Sequence, residues 1–118
     1  MTLTVYGIPN CGSCKKAIAW FKANDIDYEF INWKEQPPSR SQITGWIETL
    51  GSKPLKNTSG QSYRNLGETK KSMTDADWLE AFAADAMLLK RPLIEKDGIA
   101  LMTGFRGDAA QIRSTLSI

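Results

Sequence analysis

The sequence predicts an α/β domain, and three observations carry that prediction. Alternating runs typical of strands fall near both ends of the chain, stretches with helical spacing lie between and after them, and turn-forming residues stand at the handovers. With 118 residues, the chain is most simply one domain, large enough to bury a core without metal or disulfide staples. Its two cysteines are therefore not needed for folding.

A first strand is expected over residues 2 to 6, rich in strand formers, with Gly7 and Pro9 ending it. A helix follows from Cys11 to Asn24: Cys14, Ala17, Ile18 and Phe21 recur at helical spacing, Lys15, Lys16 and Lys22 form a polar face, and Asn24 is a stop. "DYEFINW" alternates again, which places a second strand near residues 28 to 33, parallel to the first because a helix separates them. "KEQPPSRSQ" is a turn-rich break. Ser39 then caps a helix whose buried face is Ile43, Trp46, Ile47 and Leu50, and Gly51 ends it. Residues 52 to 74 are polar and poorly periodic, with a short helix around Tyr63 to Leu66. "TDADWLEAFAADAMLLK" has helical composition, with Thr74 as its cap and Trp78, Leu79 and Phe82 facing inward. "RPLIEKDGIALMTG" reads as a hairpin: a strand at 93 to 95, a turn at Asp97-Gly98 and a strand near 99 to 103. A last helix, capped by Asp108, runs through Ile112 to Leu116.

The order is thus β-α-β, helices, β-β-α. It is the order of the thioredoxin-like fold with a helical subdomain inserted between its halves, although order alone leaves other small α/β topologies open. On this reading residues 1–118 form one domain, with the thioredoxin-like part at about 1–36 and 88–118 and the helical insertion at about 37–87.

Composition narrows the function classes. Apolar residues at 42% and charged residues at 24% are near the averages of soluble globular chains and argue against disorder. A net charge of +2, with Lys and Arg dispersed, gives no basic stripe for direct nucleic-acid binding. No apolar run approaches the roughly 20 residues of a membrane span, and "MTLTVYGIPN" lacks a secretory pattern, so a cytoplasmic protein without a membrane partner is expected. Histidine is absent, and two thiolates alone cannot close a tetrahedral zinc site, so no metal is expected.

The chemistry concentrates in "IPNCGSCKKAIAWF". In a reducing compartment a close cysteine pair points to catalysis, redox sensing or metal binding rather than to a structural disulfide. Cys11 falls where a strand hands over to a helix, so the unpaired amides of Gly12, Ser13 and Cys14 can face its sulfur, and the helix dipole adds positive potential. Lys15 and Lys16 push the same way. A thiol so placed is expected to be acidified from about 8.5 into the range of about 3.5 to 7.5, which makes Cys11 the nucleophile. Cys14 follows one helical turn later, within reach for a disulfide, and takes the resolving role. Gly12 and Ser13 are small and leave room above Cys11. The plain alternative is two buried cysteines that happen to be neighbours, since free cysteine is often buried.

Taken together, "GIPNCGSCKKAIAWF", "KNTSGQSYRNLGE", "LLKRPLI" and "LMTGF" resemble the arsenate reductase (ArsC) family, and especially its Spx and YffB-like branch, over nearly the whole chain. The resemblance implies the thioredoxin-like fold with its inserted helices, a redox role for Cys11, and an arginine, here Arg91, preceding a cis-proline, here Pro92, close to that cysteine. Arg91 would then stabilise a thiolate or bind an anion through its fork of donors. Of the three arginines with which arsenate reductases of the family hold the oxyanion, only Arg91 is matched. Ser59 stands where the Spx and YffB-like branch has arginine and Phe105 where the arsenate reductases have their last one, with Arg64 and Arg106 nearby.

Two functions follow from the resemblance. One is a thiol-disulfide oxidoreductase acting on a small thiol or oxyanion substrate. It would need no bound cofactor, only glutathione, thioredoxin or glutaredoxin as the thiol reductant. The other is an Spx-like redox-sensing regulator that binds the RNA polymerase alpha subunit, for which Gly51 falls at the contact glycine of Spx proteins. A glycine ending a helix is also what plain C-capping requires.

Overall fold

A computed structural model describes residues 2–118; Met1, counted in the predicted domain, lies outside them. The chain divides into two compact units, one made of the segment up to Gln36 together with Arg91–Ile118, the other of Pro37–Lys90.

The first unit is built on a four-stranded sheet. Its strands are β1 (Leu3–Gly7), β2 (Glu29–Asn32), β3 (Leu93–Lys96) and β4 (Ile99–Thr103), in the order β2-β1-β3-β4. β1 and β2 run parallel, Val5 opposite Phe30, and are joined by α1 (Gly12–Ala23) as the βαβ pattern requires. β3 lies antiparallel on the other side of β1, Val5 opposite Ile94, and β4 is antiparallel to β3. The β3–β4 turn has positive φ at both Asp97 (53°) and Gly98 (82°), the geometry that matches strand twist in a two-residue hairpin and that a Gly second residue makes easy. This is the thioredoxin-like arrangement expected from the element order.

Leu3, Val5 and Ile94 project from one face of the sheet into a core completed by Ala17 and Phe21 of α1 and by Ile112 and Leu116 of α5 (Ala109–Leu116). Phe105 enters the same core, its ring 6.0 Å from Trp20 and 6.2 Å from Phe21. Asp108 caps α5: its carboxylate accepts from Gln111 N–H at 2.9 Å while Gln111 Oε1 accepts from Asp108 N–H.

The second unit packs α2 (Arg40–Leu50) against α4 (Asp75–Ala84), with the short α3 (Gln61–Asn65) between them in sequence. Ser39 and Thr74 close capping boxes with Gln42 and Asp77. Ile43 and Trp46 of α2 and Trp78 and Phe82 of α4 are buried, whereas Ile47, Leu50 and Leu79, expected on the same faces, are only half-buried. Tyr63 stacks on Trp78 at 6.1 Å, and Lys56 Nζ sits 4.3 Å from the Trp78 ring centroid. The helix expected through residue 90 stops at Ala84. Asp85 turns extended (φ −145°, ψ 100°) and its carboxylate accepts from Met87 N–H, starting a separate 3-10 turn at Ala86–Leu88. Asp competes for local backbone donors in this way and outweighs the helical composition around it. Gly51 ends α2 at φ +81°, backbone that glycine adopts without strain.

Among the described residues no helix is long and apolar enough to cross a membrane, and no cluster of three or more His, Cys, Asp or Glu is placed to hold a metal ion.

Candidate active site

The two cysteines sit where β1 gives way to α1. Cys11 is the residue that caps α1, with extended backbone (φ −106°, ψ 127°), and its carbonyl accepts the first helical hydrogen bond from Lys15 N–H at 3.0 Å. Its sulfur closes no full cap hydrogen bond; the first-turn amides act on it as directed dipoles at longer range. Burial opposes charge on Cys11, but the Cys14 amide, the Cys14 thiol, the Ser13 amide and the Arg91 side chain together bring it below the ordinary thiol range. Of the three amides expected, those of Ser13 and Cys14 reach the sulfur. The positive group engaged is Arg91, while Lys15 and Lys16, expected to act on the thiolate, are exposed on α1.

Cys14 lies one turn deeper and is fully buried. Burial, chiefly, pushes its thiol up to about 11; the backbone of Ile8 works against this, while the hydrogen bond and charge of Cys11 add to it. Cys14 therefore keeps its proton and donates it toward the Cys11 sulfur. Both cysteines are free thiols.

Arg91 comes from the segment directly before β3, across a cis peptide bond to the buried Pro92. The Pro92 carbonyl accepts from Gly104 N–H at 2.8 Å, which ties the loop after β4 to the loop that carries Arg91. Gly12 and Ser13, next to Cys11 in the chain, are exposed. Phe105 points into the core at 4% exposure, and Arg106 is exposed. In the helical unit Arg64, on α3, bonds Ser59 O at 3.1 Å and Gln61 Oε1 at 3.0 Å, both within its own stretch of chain.

Sequence reasoning missed the backbone of Gly7 and Ile8, which Cys14 rests against. The available signal was a glycine within a strand pattern, which often marks close backbone approach.

Fold and geometry together define a thioredoxin-like protein with a cysteine pair at the first strand-to-helix junction and an Arg-cis-Pro loop beside it. The family model described as "ArsC family" matches residues 6–112. The uncharacterized protein YusI of Bacillus subtilis (strain 168) is 40% identical over 112 residues, covering 92% of this chain and 94% of YusI. The global transcriptional regulator Spx of Streptococcus pyogenes serotype M3 is 27% identical over 117 residues, covering 98% of this chain and 85% of Spx. A crystal structure described as a possible arsenate reductase from Streptococcus mutans UA159 superposes with a TM-score of 0.81 at 38% identity, covering 93% of this chain and 96% of that one. The chain belongs to the ArsC family.

Proposed function

We propose that this protein is a thiol-disulfide oxidoreductase of the ArsC family, with Cys11 as nucleophile, Cys14 as resolving cysteine and Arg91 as the cation at the thiolate. The observation that carries this reading is the Cys11 sulfur, held below the ordinary thiol range and in hydrogen-bond reach of the Cys14 thiol.

The Cys11 thiolate attacks one sulfur of a substrate disulfide, forms a mixed disulfide and expels the other sulfur as a thiolate. That step removes the charge on Cys11. Two of the causes that keep Cys14 protonated, its hydrogen bond to Cys11 and the Cys11 charge, vanish with it, while the Ile8 backbone and Arg91 continue to favour the anion. Cys14 becomes a nucleophile when there is a mixed disulfide to resolve. It gives its proton to solvent, attacks Cys11 Sγ and releases the second substrate thiolate. The substrate disulfide has then gained two electrons and the cysteine pair has lost two. Two glutathione molecules, or one thioredoxin dithiol, return them in a reducing cytoplasm.

Steady-state turnover of a glutathione mixed disulfide, insulin and arsenate, with wild type against Cys11→Ser, tests the reading. Turnover that disappears in the variant supports it. The length of the match to Spx favours a second reading, a redox-controlled regulator using the same thiols. No turnover on any substrate, together with RNA polymerase alpha-subunit binding that changes with oxidation, would replace the enzyme by the regulator.

A further inference from the structure

Gly7 is the last residue of β1, and nothing in its own backbone calls for glycine. The positive-φ glycines are Gly51, Gly67, Gly98, Gly104 and Gly107, and Gly7 is not among them. A glycine in a strand gives up packing and adds unfolded-state entropy, so an ordinary strand position favours a side chain. The space where that side chain would stand is already taken. A Cβ built on Gly7 would overlap Cys14 Sγ far inside van der Waals contact, whereas it would meet Cys14 Cβ at 3.7 Å and Arg91 Cβ at 3.9 Å, both ordinary distances.

The strand cannot retreat from the sulfur. Gly7 pairs with Asn32 of β2, and its carbonyl accepts from Trp33 N–H at 2.8 Å. The sulfur cannot move without loss either, because the rotamer that rests on Gly7 is also the one that presents the Cys14 thiol to Cys11.

We propose that Gly7 is a positioning residue for the resolving cysteine: its missing side chain is the seat that keeps Cys14 Sγ against β1 and within hydrogen-bond reach of Cys11 Sγ. This rests on the oxidoreductase reading above. Any side chain at position 7 displaces the sulfur into another rotamer, out of contact with Cys11. The first chemical step, attack by Cys11, uses that seat only through the hydrogen bond by which the Cys14 thiol acidifies Cys11. The second uses it directly, because Cys14 Sγ is the attacking atom.

The test is a single-turnover reaction with stoichiometric 5,5′-dithiobis(2-nitrobenzoate). Attack by Cys11 releases one thionitrobenzoate and leaves the other in a mixed disulfide. Attack by Cys14 on Cys11 Sγ releases the second and forms the Cys11–Cys14 disulfide, so two electrons pass from the cysteine pair to the reagent. In Gly7→Ala the first release is expected to slow modestly, with the loss of the Cys14 hydrogen bond to Cys11, and the second to slow at least tenfold more than the first. A second release within twofold of wild type overturns the proposal. Should wild type release only one equivalent, the oxidoreductase reading falls and the role of Gly7 falls with it, a result distinct from equal resolution in both proteins.

Unfolding of Gly7→Ala in a Cys14→Ala background guards against a variant that fails to fold. With the sulfur gone, the added methyl faces only atoms at ordinary distance. The urea midpoint of the double variant should equal or exceed that of Cys14→Ala. A drop as large as in the wild-type background, or failure of the double variant to fold, assigns Gly7 a purely structural role and overturns the proposal.

Discussion

Cys14 points its thiol hydrogen at the sulfur of Cys11, so each cysteine sets the acidity of the other in opposite directions. The pair differs in burial by design of the helix start: Cys11 stands at the cap, half-buried, and Cys14 one turn in, with no exposure. Ionisation is favoured at the outer sulfur and opposed at the inner one.

Iodoacetamide should therefore alkylate Cys11 first, with a pH profile centred below the ordinary thiol value. In Arg91→Gln the profile should move to higher pH, because one of the groups that favour the Cys11 anion is gone. Mass spectrometry of the labelled peptide over a pH series checks both; an unmoved profile removes Arg91 from the site.

Cys14 gives an alkaline signature in stability. Its value in the fold is raised from the ordinary thiol value of 9.0 to about 11, so the folded state binds this proton more tightly than the unfolded state. The resulting stability is fully present below pH 9 and is lost as pH rises through about 11. Urea midpoints measured between these limits should fall in wild type and fall less in Cys14→Ala.

The capping boxes of α2, α4 and α5 make separable contributions. Ser39→Ala, Thr74→Ala and Asp108→Ala each break a capping box and should each lower unfolding free energy by about 1 kcal/mol. Asp108→Asn keeps an acceptor for the Gln111 amide and should recover most of its loss. Chemical denaturation of the four variants checks this, and the cysteine chemistry should be unchanged in all of them.

Phe21→Ala should be the severe case. The ring is fully buried and lies 5.6 to 6.2 Å from the rings of Trp20, Tyr28 and Phe105. Emptying it is expected to cost about 3–5 kcal/mol. The exposed neighbour Ala19 provides the control, since Ala19→Ser should stay within about 0.5 kcal/mol of wild type.

Much of this is legible in the sequence. Local chemistry is strong at the βαβ start, at the caps Ser39, Thr74 and Asp108, and at the Asp97-Gly98 turn, and those elements stand where they are expected. Other features depend on what a residue meets in space. Asp85 sits in a run of good helix formers, yet its carboxylate finds the Met87 amide and stops the helix. Ile47, Leu50 and Leu79 fit an apolar stripe, but how far each is covered depends on what packs over it. At the thiols, sequence proximity suggested Lys15 and Lys16, but their side chains leave the helix toward water while Arg91 arrives from a distant segment. Gly7 read as a strand end because the sulfur that occupies its side-chain space belongs to the next element.

The sheet draws its strands from both ends of the chain: β1 lies between β2, which follows soon after it, and β3, which comes only after the whole Pro37–Lys90 unit. A ribosome adds about 5–20 residues per second, so both thiols emerge several seconds before the guanidinium that will neighbour them and before the strand that closes the far edge of β1. Throughout that interval the nascent protein carries Cys11 without the cation that favours its anion, so the full reactivity of that sulfur arrives only when the last third of the chain has been made.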